Sequence, residues 1–141
     1  MVYYWQIIIN CWANNVIDGI WVFEITEWST TSEIVFNNGV YEISWGDDPI
    51  RRGTYSINDN IVTLTVTSIH GIGFSFGDFE DKWYFRDEVE ATFRSSADIR
   101  SLLSDEEISD AIVSMFSTET YYFSISGNFL TMDDITYTRV Q

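Results

Sequence analysis

The chain is short and strongly acidic, with 141 residues, 22 aspartates and glutamates, 7 lysines and arginines and a formal net charge of −15. One domain is expected at this length, and a hydrophobic content of 45% excludes an intrinsically disordered chain. The charge argues against nucleic acid as a partner. The single cysteine excludes an internal disulfide and any multi-cysteine metal site.

Residues 1–17 carry no charged side chain, which predicts a boundary between this segment and a domain at 18–141. A short apolar stretch precedes Cys11, in the order found in lipoprotein signals, where the cysteine is acylated. No lysine or arginine precedes the stretch, and Asn10 stands where a small residue is expected. Two interpretations stay open. The segment is a clipped lipoprotein signal, or it is an extra strand or apolar tail with Cys11 as a small hydrophobic residue.

From residue 18 onward, apolar and polar side chains alternate with the period of two that is typical of strands. Strands are predicted at 19–28, 32–36, 40–45, 52–57, 61–69, 120–125, 129–132 and 135–140. Tight turns separate several of them, such as Asn37-Asn38-Gly39, whose residues tolerate a positive φ. Residues 55–64 (YSINDNIVTL) align without gaps on residues 123–132 (FSISGNFLTM), which indicates one strand–turn–strand hairpin used twice.

The segment 70–118 has a different character. Eleven of the 22 carboxylates and four basic residues lie between Asp78 and Asp110. Ser104 and Glu107 have the spacing of a helix capping box. Apolar residues follow at helical spacing: Ile108, Ile112, Val113 and Phe116. A second short helix fits residues 87–93, and residues 82–85 fit a strand.

Without this segment, eight antiparallel strands in up-and-down order bring the last strand beside the first, so the sheet can close and lose its edges. The predicted fold class is all-β, an eight-stranded antiparallel up-and-down barrel with a helical insertion at about 70–118. The insertion lies at one mouth, as a lid or a plug. An open β-sandwich is the alternative. A barrel of this size has room for side chains or for one small ligand.

Residues Gly19, Ile20 and Trp21 resemble the Gly-x-Trp signature in the first strand of lipocalins and their calycin relatives. The resemblance implies that an arginine of the last strand, here Arg139, packs across Trp21 at the closed end of the barrel. Residues 53–57, 60–65, 122–131 and 136–139 are similar to small bacterial lipocalin-like domains of cell-envelope proteins. That similarity implies a periplasmic or outer-surface location, with a cytoplasmic location as the alternative. The acidic helical insertion departs from the pattern and puts any inherited ligand class in doubt.

Little in the sequence indicates catalysis. His70 is the only histidine, and it lies in a glycine-rich loop without a nearby nucleophile motif. No calcium loop, phosphate loop or dinucleotide motif is present, so no metal, cofactor or enzymatic activity is predicted. Aromatic residues carry the stronger functional signal because many share the faces assigned to the barrel interior. The predicted ligand-binding residues are Phe23, Ile25, Tyr41, Ile43, Trp45, Tyr55, Leu64, Tyr121 and Phe123.

Two functional hypotheses follow. The first is a monomeric, non-enzymatic barrel that binds a small hydrophobic ligand and meets a membrane only through a lipid anchor. It requires an internal cavity of roughly a few hundred Å³, reached beside the helical insertion, and a barrel interior filled by side chains would contradict it. The second is a protein-interaction module with a side-chain-filled barrel, whose acidic insertion or exposed aromatics contact a basic partner. It requires a contiguous surface patch that contains residues such as Trp28, Trp83 or Tyr84.

Overall fold

The computed structural model of the chain describes residues 16–74 and 78–140. Within these ranges the strands are β1 (Gly19–Ile25), β2 (Thr30–Asn37), β3 (Val40–Trp45), β4 (Asp48–Asn58), β5 (Ile61–His70), β6 (Trp83–Phe85), β7 (Thr118–Ser126), β8 (Phe129–Met132) and β9 (Ile135–Arg139). Between β6 and β7 lie the helices α1 (Arg86–Ser95), α2 (Ala97–Leu102) and α3 (Asp105–Met115). The lipidation predicted at Cys11 falls outside the described residues.

Eight of these strands close into an antiparallel barrel. Their order around the barrel is β1, β2, β3, β4, β5, β7, β8 and β9, and β9 returns to β1 with Arg139 opposite Trp21. The predicted fold class, an eight-stranded antiparallel barrel with a helical insertion, is therefore confirmed. The short strand β6 stands outside this ring and pairs only with the end of β5, at Ser68, Ile69 and His70.

Two strand boundaries differ from the predictions by three or more residues. Strand β1 ends at Ile25, because Thr26–Trp28 forms a 3-10 turn and Ser29 then adopts a positive φ of 49°. Strand β4 begins at Asp48, although the composition of residues 46–49 predicts a loop. Strand β4 pairs with β3 on both sides of a one-residue shift in register. Arg51 pairs with Ile43, Pro49 pairs with Ser44, and Ile50 between them has no partner in β3. Such a β-bulge tolerates a residue that cannot donate to the ladder.

The repeated sequence does form the same hairpin twice. In the first copy Asn58 pairs with Ile61 across the turn, and in the second Ser126 pairs with Phe129 at the equivalent positions. A residue with positive φ follows the first strand in both copies, Asp59 at 55° and Gly127 at 59°. The local alternation and the turn residues are thus sufficient to predict these two hairpins.

The antiparallel order separates two ends of the barrel. The start of β1 and the end of β9 lie at one end, where Trp21 meets Arg139. The connections from β1 to β2, from β3 to β4 and from β8 to β9 lie at the opposite end, which is here called the mouth. Strand β5 also ends at the mouth and β7 begins there, so the helical segment lies at the mouth, as predicted.

Two groups of buried side chains hold the molecule together. The barrel core consists of Ile17, Trp21, Ile34, Phe36, Tyr41, Tyr55, Val62, Leu64, Leu130 and Met132. A separate helical core consists of Tyr84, Val89, Phe93, Ile99, Ile108 and Ile112. Ile17 belongs to the uncharged N-terminal segment and is nevertheless fully buried in the barrel core.

The helical segment matches its sequence signals closely. In the capping box of α3, the Glu107 N–H donates to Ser104 Oγ and the Ser104 N–H donates to Glu107 Oε1, both at 3.2 Å. Ile108 and Ile112 are buried, whereas Val113 is 58% exposed and lies on the opposite side of the helix. Helix α1 and strand β6 also form where predicted, while α2 was not predicted. None of the helices in the described ranges is long and apolar enough to span a membrane.

Candidate functional site

The closed end of the barrel is built around Trp21. The Arg139 guanidinium carbon lies 4.2 Å from the centre of the Trp21 ring, so the contact implied by the resemblance is present. Trp21 Nε1 donates to the Ile17 carbonyl at 2.8 Å, and Arg139 Nη1 donates to the Asp18 carbonyl at 3.2 Å. Gly19 has a φ of 143°, and a Cβ there would lie 2.9 Å from Arg139 Nη1. This end is therefore filled by structural contacts.

Tyr55 belongs to the same structural end. Its hydroxyl donates to Asp18 Oδ1, and the Asn38 N–H donates to the other oxygen of that carboxylate at 3.2 Å. The ring packs edge-on against Phe36, with the ring centres 5.0 Å apart. Tyr55 thus links the segment before β1 to the turn between β2 and β3 at the closed end, where it is distant from the mouth along its strand.

The inner face at the mouth carries a second group of side chains. Arg51 pairs with Ile43 on one side and with Ile69 on the other, and Ile43 packs against the barrel core. Cross-strand partners share a face, so Arg51 points toward the interior. Ile69 pairs in turn with Tyr84 of the helical core. One row of residues therefore connects the barrel interior to the helical segment.

A pocket of about 330 Å³ lies at this junction. It is lined by Ile50, Arg51, Ile69, Gly73, Phe74 and Met115. Strands β4 and β5 supply one wall, and the chain after β5 together with the end of α3 supplies the other. Its size falls within the range of about 300–1,000 Å³ found for small-molecule sites. The pocket opens to the surface beside the helical segment, and none of the nine predicted ligand-binding residues lines it.

The predicted ligand-binding residues occupy three different places. Tyr41, Tyr55 and Leu64 are buried in the barrel core, and Ile43, Tyr121 and Phe123 pack against it while remaining partly exposed. Phe23 is half-buried, with its ring centre 5.9 Å from that of Tyr137. Ile25 lines a separate pocket at the turn after β1, and Trp45 is 44% exposed with its ring against Trp28. No single cavity in the described residues gathers the whole set.

Several mouth residues escaped the sequence reasoning. Arg51 and Glu119 each lie one residue outside a predicted strand, 52–57 and 120–125 respectively. Arg51 lies four residues before Tyr55, and Glu119 lies two residues before Tyr121. Because every second side chain of a strand shares a face, both charged groups belong to the inner face. Tyr137 shares a face with Arg139 and could have been found in the same way. Phe74 and Met115 have no signal, because they reach the mouth only through the packing of the helical segment.

Three inward-facing tyrosines of the barrel are held in the neutral form. Burial raises the pKa of Tyr121 well above its usual range, and its hydroxyl donates to Glu119 Oε2, which adds to the shift. Burial also raises the pKa of Tyr41 and of Tyr137, and the positive charge of Arg51 partly opposes both shifts. These phenols therefore remain hydrogen-bond donors at neutral pH.

These shifts predict loss of stability in alkali. Burial and the hydrogen bond to Asp18 raise the pKa of Tyr55 to about 12 in the folded state. An unfolded tyrosine ionises near pH 10. The stabilisation of the folded state by the neutral Tyr55 phenol is therefore complete below about pH 10 and is lost as the pH rises toward about 12. We expect the free energy of unfolding by urea to fall across this window. The Tyr55→Phe variant should decline less steeply, and equal slopes for the two proteins would contradict the assignment.

The only histidine does not form a catalytic triad with its neighbours. His70 Nε2 lies 3.3 Å from Asp81 Oδ1, and His70 Nδ1 accepts the Ile72 N–H at 3.2 Å. The Ser68 hydroxyl instead accepts a hydrogen bond from Arg52 Nε. A serine nucleophile needs a histidine nitrogen facing its hydroxyl, and both nitrogens are engaged elsewhere. Residues 16–74 and 78–140 hold no group of three or more acidic, histidine or cysteine side chains that could bind a metal.

No family model, curated protein or solved structure matches this chain significantly. The class of protein is therefore defined by its architecture. The closed eight-stranded antiparallel barrel is consistent with a lipocalin-like fold. One end of the barrel is filled, with Arg139 across Trp21, and a pocket lies at the other end.

Proposed function

We propose that this protein is a non-enzymatic, lipocalin-like barrel that binds a small hydrophobic ligand at its mouth. The pocket between the mouth strands and the helical segment carries the proposal. Ile50, Ile69, Phe74 and Met115 give it a mainly apolar lining, the composition expected of a site for a small organic molecule.

Partly exposed side chains on the inner face near the mouth support the same proposal. Trp21, Phe36 and Leu130 are no more than 1% exposed. Inward-facing residues near the mouth, such as Phe23 and Tyr121, keep part of their surface exposed. A ligand seated at the mouth would cover apolar surface that the protein leaves in contact with water, and such burial is the main favourable term in binding.

The proposed location is the cell envelope, with the protein acting as a monomer. The apolar stretch before Cys11 supports a lipid anchor, and the resemblance to envelope domains supports the same compartment. A cytoplasmic location remains the alternative.

Filling the pocket should abolish binding. The Met115→Trp variant places a larger side chain against the pocket wall. We expect it to weaken binding of the neutral probe N-phenyl-1-naphthylamine, followed by its fluorescence enhancement, by about tenfold or more. The reason is that burying one apolar group is worth ~1.5–3 kcal/mol, and the larger side chain would block that contact. Val113→Trp is the matched control, since Val113 lies on the exposed side of the same helix. Equal probe binding by both variants would place the ligand elsewhere.

The alternative function, a protein-interaction module, is supported by one observation. Trp28 is 62% exposed, and its ring centre lies 5.8 Å from that of Trp45 at the mouth rim. Tyr84 is buried and Trp83 lies beneath the Arg52 guanidinium, so neither side chain extends the exposed pair of Trp28 and Trp45. Native mass spectrometry of protein purified from its source separates the two functions. A retained small molecule supports ligand binding, and a retained protein supports the alternative.

A further inference from the structure

The mouth contains one arginine without a counter-ion. Within residues 16–74 and 78–140, no salt bridge or side-chain hydrogen bond involves Arg51. Four of the other five arginines are engaged by acceptors or aromatic rings: Arg52, Arg94, Arg100 and Arg139. The fifth, Arg86, is exposed to solvent. Arg51 is therefore the one arginine that is both partly buried and unpaired in the described part of the chain.

The position of Arg51 makes the lack of a salt bridge energetically unfavourable. The residue is half-buried, and it lines the pocket beside Ile50 and Ile69. A charged group that is partly withdrawn from water against apolar walls is unfavourable unless an opposite charge compensates it. A guanidinium offers five donors in a planar fork, which suits two oxygens of a carboxylate or a sulfonate.

The neighbouring groups favour an anion on the Arg51 side of the mouth. The Glu119 charge acts on Tyr41 and on Tyr121, and its carboxylate accepts the hydrogen bond of Tyr121. It would repel an anion placed next to either phenol. Tyr137 lies within the electrostatic range of Arg51 and keeps its hydroxyl proton at neutral pH. It can therefore add a neutral donor without adding charge.

From this geometry we infer that the ligand is an amphiphilic organic anion, with its acidic group on Arg51 and its apolar body between Ile69, Phe74 and Met115. The inference rests on the proposed function and defines the substrate class of that same pocket. The net charge of −15 repels anions at long range. Anion binding at this mouth must then come from a local contact, and the contact is assigned to Arg51.

Two fluorescent probes with one carbon skeleton test the inference. 1-Anilinonaphthalene-8-sulfonate carries a sulfonate, and N-phenyl-1-naphthylamine is the same molecule without it. We expect Arg51→Met to weaken binding of the sulfonate probe by about 10–100-fold, the usual range for loss of a hydrogen-bonded charge, and to leave the neutral probe unaffected. Arg51→Lys should recover part of the loss. Arg86→Met removes the same charge from the outer surface and should bind both probes like the wild type.

The outcomes separate the inference from the proposed function. Equal loss of both probes in Arg51→Met, or loss of neither, overturns the anion site while the hydrophobic pocket stands. Failure of the wild type to bind either probe overturns the pocket and the inference together. If circular dichroism shows that Arg51→Met does not fold, Arg51→Gln removes the charge with a polar side chain, and the same comparison of probes applies.

Discussion

Replacing Trp21 by alanine is expected to lower the free energy of unfolding by about 3–5 kcal/mol, the usual cost of deleting a buried aromatic side chain. Trp21 is fully buried at the closed end. The substitution removes the ring beneath the Arg139 guanidinium and leaves the Ile17 carbonyl without its indole donor. It therefore creates a cavity, an unpaired acceptor and a cation without its aromatic partner at the point where the last strand closes on the first.

The matched control is Trp28→Ala. Trp28 is 62% exposed in the turn after β1, and its only ring contact in the described residues is with Trp45. Exposed substitutions usually change stability by about 0.5 kcal/mol or less. Urea unfolding followed by far-ultraviolet circular dichroism compares the two variants without depending on tryptophan fluorescence. Similar losses in both would show that closure does not depend on Trp21.

Replacing Gly53 by alanine is expected to cost about 1–3 kcal/mol or more, because added atoms cannot be accommodated in a packed interior. A Cβ at this position would lie 1.8 Å from the Thr65 carbonyl oxygen and 3.0 Å from Tyr41 Cε1. The first of these atoms belongs to the backbone of the paired strand, which cannot rotate away. Strands β4 and β5 would have to separate next to the bulge at Thr67, where Gly53 pairs with Val66 and Arg52 with Ser68.

Gly73→Ala provides the control for this prediction. A Cβ at Gly73 meets no atom within 4 Å, and the residue does not have a positive φ. Its expected effect lies between no change and a gain of about 1 kcal/mol, because alanine restricts the unfolded chain more than glycine does. The thermal midpoints of the two variants measure the contrast. If Gly53→Ala unfolds at the wild-type temperature, the close approach of the two strands is not required for closure.

The successful predictions concern features that depend on near neighbours in the chain. The alternation in residues 61–69 predicts β5, because successive side chains in a strand must point to opposite faces. Ser104 and Glu107 predict the start of α3, because their hydrogen bonds are made within one turn. The boundaries at 26–28 and 46–49 could not be predicted equally well. The 3-10 turn lies between the consecutive strands β1 and β2, and the bulge at Ile50 depends on the register between β3 and β4, which the alternation of side chains does not specify.

The sequence predicted residues of the barrel's inner face but none of the six residues that line the mouth pocket. Tyr41, Ile43 and Tyr121 follow from the alternation, yet a face assignment does not say at which height in the barrel a side chain lies. Tyr55 shares that inner face and is bound to Asp18 at the closed end. Trp45 lies on the rim, where the strand ends; it is 44% exposed, and its ring packs against Trp28. The stagger of the strands therefore separates residues that the sequence groups together.

By itself, the sequence determined that the chain forms antiparallel strands, that their number permits a closed barrel, and that an acidic helical segment interrupts them. These properties depend on the period of side chains and on turns and caps formed by close neighbours. Only the tertiary structure decided that Arg51, Ile69 and Met115 line one pocket. These residues come from two strands and a helix, and their meeting depends on the strand register and on the packing of the helical core, which no local pattern encodes.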